Sequence, residues 1–333
     1  MTTKLNVQHM GGDVFAYSHT QSDRSVLWSE LFKDKERAFL EKVLAAEVVC
    51  FSIKDMFQVH VKTLWRPEAY VQRKPFSSNI VRDGPCALML HDKEGPLTSC
   101  WTWAKLARPL YQQGFSVILV DFPGFGASTM NCKANCPVSA WKSQEADILC
   151  LVMDSLGVNK CHLVACGSSC GDLLEMLRHS PHRLAKKHIL HNPVLDLGAV
   201  FADAAESLLL GTAPAHPAAV RARHQAKLVD ALRARHLRVL ATFDAAKAAQ
   251  TQQTREALAS AAEHPLLREA ISLVDVTAKD ACQARMGANT SQHFLFLSNQ
   301  LRHCYVGFLQ PKERRPQPAA PAPAGSAAHA EAA

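Results

Sequence analysis

The residues best suited to chemistry in this sequence lie around Ser169. Gly167 and Gly171 flank it, each two positions away, where an apolar run passes into a helix-like one. A serine on a sharp strand-to-helix turn adopts strained backbone angles, and small neighbours let the two arms of the turn pass closely. We therefore expect Ser169 to be a nucleophile on a strained turn, with its backbone at the positive end of a helix.

Three segments around this turn resemble the α/β-hydrolase superfamily: CALMLHD at 86–92, FSVILVDFPGFGAST at 115–129 and KCHLVACGSSCGDLLEML at 160–177. The resemblance covers most of the chain. It implies the α/β-hydrolase fold, a doubly wound, mostly parallel sheet with a small helical lid insertion. It also implies that Ser169 is the nucleophile of a Gly-x-Ser-x-Gly elbow. In this family the aspartate that matches Asp121 braces its loop, so we do not expect it to be a catalytic acid.

The same resemblance implies a base and an acid. The segment SQHFLFLSNQLRHCYVGFL matches the family's last loop and closing helix, which makes His293 the candidate base. Its neutral imidazole would take the proton of Ser169 during attack and return it to the leaving group. The candidate acid is Asp244, directly after the run RVLATF, or alternatively Asp196 after HILHNP, a position that some family members use.

Two backbone amides complete the expected site as an oxyanion hole. One belongs to Cys170, which follows the nucleophile, and the other to Asp92. Asp92 is a departure, because the family usually has His-Gly where this chain has His91-Asp92. The acid is displaced as well, since Asp244 immediately follows its strand and a lysine stands near the expected position. The approach to His293 is longer than the family's short loop.

Alternating strand-like and helical runs must position these residues. Two β-rich runs around Lys54-Asp55 predict an opening antiparallel hairpin, and the later runs alternate as in a parallel sheet covered by helices. The predicted strands are 87–90, 116–121, 161–165, 188–191, 238–243 and 271–276, and the predicted helices are 101–113, 140–156, 170–178, 251–262 and 294–309.

The pattern divides the chain into three regions. Residues 1–45 form an N-terminal helical extension, residues 46–310 form the α/β-hydrolase domain, and residues 311–333 form a Pro/Ala-rich tail too poor in apolar residues to fold. Within the domain, residues 197–236 are rich in Ala, Leu and Arg and are broken at 211–217. This pattern predicts two short helices that form the lid.

Composition narrows the class of protein. With 48% hydrophobic residues in a chain of 333, without a long apolar run or a signal-peptide pattern, the sequence predicts a cytoplasmic protein with a sizeable core and no transmembrane segment. The 11 cysteines suit free thiols, and their spacing predicts no metal site. The net charge of +7 is not accompanied by the pattern of a nucleic-acid-binding module, so we expect no nucleic-acid partner. No Gly-x-Gly-x-x-Gly motif opens a helix, and no cofactor is implied.

Two functions compete at this point. The elbow and the chain order Ser, Asp, His predict a serine hydrolase of ester, thioester or amide bonds, of the carboxylic ester hydrolase type, which forms an acyl-enzyme with a small acyl substrate. The departures predict instead a non-catalytic binding or structural subunit of a larger assembly, which meets protein partners through the N-terminal helix and the tail.

Overall fold

The structure is a computed structural model. It describes residues 6–10, 47–53, 57–66, 71–73, 80–82, 84–93, 99–123, 125, 128, 145–196, 217–265, 267–277, 281–285 and 293–310. The amphipathic stretch of the predicted N-terminal helix, the first half of the predicted lid and the predicted C-terminal tail lie outside these residues. Residues Asn6–Met10, within the predicted N-terminal helical extension, form a strand at the edge of the main sheet.

A nine-stranded sheet forms the centre of the described part, in the order β1-β2-β3-β7-β6-β8-β9-β10-β11. The strands up to β3 and their junction with β7 are antiparallel, and every pairing from β7 onward is parallel. Two small sheets pair β4 with β5 and β12 with β13. The strands are β1 Asn6–Met10, β2 Glu47–Ile53, β3 Phe57–Leu64, β4 Val71–Arg73, β5 Ile80–Arg82, β6 Cys86–Leu90, β7 Ser116–Asp121, β8 His162–Cys166, β9 Lys187–His191, β10 Arg238–Asp244, β11 Ile271–Val276, β12 Ala281–Arg285 and β13 His293–Leu297.

Helices cover both faces of this sheet. They are α1 Ala104–Gln112, α2 Glu145–Ser155, α3 Gly171–His179, α4 Pro217–Ala234, α5 Ala248–Glu263 and α6 Asn299–Leu309. Short 3-10 turns stand at Cys100–Trp103, Gly167–Cys170, Pro181–Arg183 and Ala245–Lys247. Among the described helices, none combines the length and the apolar character needed to cross a membrane.

The alternation of side chains along the strands divides the core in two. In β6, Cys86, Leu88 and Leu90 pack with α2, α3, α4 and α5 on one face, whereas Ala87 and Met89 pack with α1 and α6 on the other. Successive residues of a strand point to opposite faces, so a strand covered on both sides is apolar throughout. The predicted fold class, a doubly wound and mostly parallel sheet with an opening antiparallel hairpin, is confirmed.

The last predicted helix, 294–309, is wrong in its first third. Residues His293–Leu297 form β13, which pairs antiparallel with β12, and the helix begins only after Ser298. The Ser298 hydroxyl accepts a hydrogen bond from Leu301 N at 3.1 Å and caps α6. The run HFLFL has the aromatic and apolar residues of a strand, and the serine after it is a common N-cap.

The described half of the predicted lid insertion is a single helix of 18 residues, α4. It contacts α3 and α5, and its Leu228 and Leu232 are buried in the larger core cluster. This half of the insertion therefore belongs to the helical layer on one face of the sheet.

The carboxyl ends of the parallel strands meet at one edge of the sheet. Asp92 follows β6, Gly167 follows β8, Asn192 follows β9, and Lys247 lies in the turn after β10. Four segments that are far apart in sequence thus converge where the candidate site is expected.

Candidate functional site

The turn after β8, which we call the elbow (Gly167–Cys170), enters the left-handed backbone region at Gly167, a conformation that would strain any residue with a Cβ. Gly167 has φ +59°, and Asn192 and His236 are the non-glycine residues with positive φ in the described part of the chain. The prediction that Ser169 carries the strained angles is therefore wrong. Strand β8 ends at Cys166, so the chain turns at Gly167 and Ser169 lies inside the following 3-10 turn.

The Ser169 hydroxyl is buried and engaged with the backbone. The residue is 0% exposed, and its Oγ donates a hydrogen bond to His91 O at 2.5 Å. An activated serine must instead give its proton to a base. In this arrangement the hydroxyl links the elbow to the end of β6.

A carboxylate occupies the space beside the strained residue. A Cβ atom at Gly167 would lie 2.2 Å from Asp92 Cγ and within 2.3 Å of both carboxylate oxygens, far inside contact distance. Asp92 is itself only 1% exposed. The place where a side chain at the strained position would extend is therefore filled by Asp92, and only glycine fits there.

Ser168 and Lys247 hold this carboxylate. Ser168 donates to Asp92 Oδ1 from its backbone N at 3.1 Å and from its Oγ at 3.2 Å. Lys247 Nζ lies 3.4 Å from Oδ2, and its side chain is 26% exposed. This lysine is the one that the sequence places near the expected acid. We call Asp92, Gly167, Ser168 and Lys247 the elbow carboxylate site.

A second ion cluster lies beside the first. Lys93 Nζ donates to Glu145 Oε2 and to both carboxylate oxygens of Asp172 at 3.1 Å, while Lys93 N donates to Ser168 Oγ at 3.3 Å. Burial, and then the charge of Asp172, raise the pKa of Glu145 to about 8. Burial lowers the pKa of Lys93, but the two acids outweigh it and leave that pKa above its ordinary value.

The predicted triad partners have these positions. Asp244 caps the turn after β10, where its Oδ1 accepts from Ala246 N at 2.9 Å. Asp196 is exposed a few residues after β9. His293 is the first residue of β13, opposite Arg285. That His293 and either acid form a catalytic triad with Ser169 stays a prediction.

The backbone N–H that binds a carboxylate at the elbow belongs to neither of the two predicted oxyanion donors. Cys170 closes the 3-10 turn, and burial raises the pKa of its thiol well above the ordinary value. The side chain of Asp92 is an acceptor, and the backbone N–H that it binds belongs to Ser168. The roles of Cys170 and Asp92 as oxyanion donors stay a prediction.

A buried network that the sequence motifs do not predict is centred on His191. Its Nδ1 lies 2.9 Å from Thr242 Oγ1 and 3.0 Å from Tyr305 Oη, and Asn192 Nδ2 donates to its Nε2 at 3.2 Å. Burial, and then the charge of Lys247, lower the pKa of His191 to about 3, so the ring is neutral. The signal in the sequence is Asn192 directly after a strand, because asparagine tolerates positive φ better than most residues.

Another cluster has the ligand types of a metal site. The potential ligand atoms of His60, Cys100 and Asp121, all buried, lie within 4.8 Å of one another. Asp121 accepts from Cys100 N at 2.5 Å and is 3.0 Å from His60 Nδ1. Imidazole, thiolate and carboxylate are ligands of zinc, and the wide sequence separation hides this set. The hydrogen bonds of Asp121 fix its neighbours, as expected for a brace.

Comparisons with known proteins give remote likenesses. No protein-family model and no curated protein matches the chain. Solved structures with a similar fold include a predicted CIB-like hydrolase from Thermoplasma acidophilum (15% identity, TM-score 0.42, covering 66% of this chain and 82% of that one). They also include 2-hydroxy-6-oxo-6-phenylhexa-2,4-dienoate hydrolase from Rhodococcus sp. strain RHA1 (15% identity, TM-score 0.41, covering 66% of this chain and 87% of that one). A third is a putative hydrolase from Bacillus subtilis (16% identity, TM-score 0.41, covering 74% of this chain and 92% of that one).

At such identities a likeness concerns the fold alone. In this chain the fold is decided by the sheet itself, which is antiparallel as far as β3 and parallel from β7 to β11, with β6 between β7 and β8. The glycine turn that leads from β8 into α3 stands at the carboxyl edge of that sheet. This protein has the α/β-hydrolase fold.

Proposed function

We propose that this protein acts as a binding or structural subunit built on the α/β-hydrolase fold, without acyl-enzyme chemistry at Ser169. The observation that carries the proposal is the Asp92 carboxylate in the space beside Gly167. A nucleophile elbow works because its strained residue presents a reactive side chain above the sheet. Here that residue is a glycine, and the buried carboxylate of Asp92 fills the space that a side chain at this position would need.

The position of Ser169 supports the same proposal. Its hydroxyl is two residues beyond the strained position, buried, and donates to His91 O. Attack on an acyl group would require this hydroxyl to leave a short hydrogen bond and reach a substrate from the interior of the turn. Both changes oppose the preorganisation on which nucleophilic catalysis depends.

The electrostatics of the elbow also oppose acyl transfer. An oxyanion hole needs N–H donors that are free to meet a developing negative charge. The Ser168 N–H already holds the Asp92 carboxylate. A second anion close to this buried carboxylate would meet like-charge repulsion that the low-dielectric surroundings strengthen.

The partners in this proposal are other proteins, met in the cytoplasm through the N-terminal extension 1–45 and the tail 311–333. The support for these two segments is their composition: an amphipathic stripe in the first and a Pro/Ala-rich sequence in the second. A fold shared with enzymes does not by itself require enzymatic activity.

The competing proposal is a serine hydrolase of ester, thioester or amide bonds, with Ser169, His293 and Asp244 as the triad. The intact Gly-x-Ser-x-Gly sequence at a strand-to-helix turn favours it. It requires the elbow to rearrange so that Ser169 releases His91 O and meets an imidazole.

Labelling with a fluorophosphonate probe separates the two proposals. Wild type, Ser169→Ala, His293→Ala and the matched control Ser168→Ala would be treated at equal concentration, with circular dichroism to show that each is folded and an established serine hydrolase to show that the probe is active. We expect no adduct on any of the four. An adduct that peptide mapping places on Ser169, and that Ser169→Ala and His293→Ala both abolish, would establish the hydrolase instead.

A further inference from the structure

We infer that the elbow of this protein is a binding site for a carboxylate group and that Asp92 is its built-in occupant. The inference goes beyond the proposed function, because it concerns the group that the elbow itself holds and does not depend on how the protein meets its partners. In wild type the ligand is part of the chain; without it, the site takes a small monocarboxylate.

The contacts of Asp92 are those of a bound carboxylate. One oxygen accepts from the Ser168 N–H and hydroxyl at 3.1 and 3.2 Å, and the other faces the Lys247 ammonium at 3.4 Å. Hydrogen bonds and an ion pair to a charged carboxylate are stronger than those between neutral groups. The donors come from two segments other than that of Asp92, so they remain in place when its side chain is removed.

The site has room for a free ligand because Gly167 contributes no side chain. The carboxylate lies where a Cβ at that position would stand. Removal of the Asp92 side chain therefore leaves a space beside Gly167, Ser168 and Lys247, with the shape of the acetate group removed.

The backbone around this space is fixed independently of the carboxylate. His91 Nδ1 donates to Asp92 O at 2.7 Å, and Phe122 N donates to His91 Nε2 at 3.1 Å. Val194 N donates to Gly167 O at 3.1 Å on the other side of the elbow. Lys247 is 26% exposed, so this side of the site lies near the surface.

Chemical rescue tests the inference. The variant Asp92→Gly removes the atoms of acetate, and sodium acetate would be titrated while the melting temperature Tm is followed. Sodium chloride at equal ionic strength controls for screening, and acetamide controls for shape without charge. A ligand of four heavy atoms is expected to bind with a Kd of about 1 mM or weaker.

We expect acetate to raise the Tm of Asp92→Gly in a saturable way, through preferential binding to the folded state, while chloride and acetamide do not. Wild type should show no saturable response, because its site is filled. In the double variant Asp92→Gly/Lys247→Gln the acetate response should be lost or weakened at least tenfold, because the ammonium is gone.

Three results would overturn the inference: no acetate response beyond that of chloride, an equal response to acetamide, or an unchanged response after Lys247→Gln. If Asp92→Gly does not fold, the same titration is made on Asp92→Ala with formate, and the refolding yield in formate against chloride is the second readout. None of these measurements uses fluorophosphonate reactivity, so a failed rescue and a failed proposed function are distinguishable.

Discussion

Among single residues, two positions 75 apart in sequence define the elbow: the Asp92 carboxylate leaves room only for glycine at position 167. Glycine at φ +59° has no steric penalty, whereas a residue with a Cβ meets both an unfavourable backbone region and the carboxylate. The two positions are therefore expected to be coupled in any measurement of stability.

The substitution Gly167→Ala tests this coupling. We expect the free energy of unfolding to fall by about 2–4 kcal/mol, from the left-handed backbone and from steric overlap with Asp92. Urea unfolding followed by circular dichroism gives the value. Gly171→Ala is the matched control, because Gly171 has φ −62° and a Cβ there would meet nothing within 4 Å.

For Gly171→Ala we expect a change within about 0.5 kcal/mol or a small gain. In the Asp92→Gly background the cost of Gly167→Ala should fall to about 1–2 kcal/mol, the backbone contribution alone. Equal costs for Gly167→Ala in both backgrounds would contradict the overlap.

At the scale of elements, a histidine joins two neighbouring strands of the parallel sheet. Leu163 N in β8 donates to His188 Nδ1 in β9 at 3.1 Å, so the other ring nitrogen, Nε2, donates to Ala185 O at 2.8 Å. The bond from Leu163 N requires the neutral ring, because a protonated Nδ1 cannot accept a hydrogen bond. Burial, and then the neighbouring His162, lower the pKa of His188 to about 3.

This arrangement predicts a loss of stability in acid. Because the folded-state pKa, about 3, lies below the ordinary value of 6.5, the unfolded chain takes up a proton first and stability falls as the pH falls from 6.5 towards 3. The slope is up to about 1.4 kcal/mol per pH unit for this proton. Urea unfolding at a series of pH values would measure it.

The variant His188→Gln keeps one acceptor and one donor on its side chain and cannot titrate. We expect its stability to depend less steeply on pH over the same range, by about one proton. A contribution of the same sign from His191 should persist in both proteins, because burial also lowers its pKa to about 3. Identical slopes in wild type and His188→Gln would show that His188 is not held neutral.

At the scale of the whole molecule, α6 closes the sheet face opposite the larger helical layer. Leu301, Tyr305, Val306 and Leu309 are buried, and Tyr305 Oη reaches the His191 network through its side chain. The helix thus connects the core with the carboxyl edge of the sheet. For residues 311–333, which follow it, the sequence predicts that little apolar surface is buried.

Two truncations test this division. Deletion of residues 311–333 should leave the Tm within about 2 °C of the full chain. Deletion of residues 299–333, which removes α6 as well, should abolish cooperative unfolding, because several buried side chains of about 2–5 kcal/mol each are lost. Differential scanning calorimetry distinguishes these outcomes. A large loss of stability in the shorter deletion would show that the tail packs on the domain.

The sequence by itself determined the fold class. The strands 116–121 and 271–276 have their predicted limits, and the predicted order of strands and helices holds from β6 to β11. These elements are long apolar runs between turn residues, and such local patterns reflect burial on both faces of a parallel sheet. The last helix is the exception, because its predicted start at 294 lies inside β13.

Tertiary structure alone decided which residue stands at the strained turn. The pairing of β8 with β6 and β9 ends the strand at Cys166, which gives Gly167 rather than Ser169 the positive φ. Ser168 and Lys247 hold Asp92 across 76 and 155 positions of sequence, respectively. A motif specifies residue types in order, but strand register and long-range contacts fix where the turn falls and what fills the space beside it.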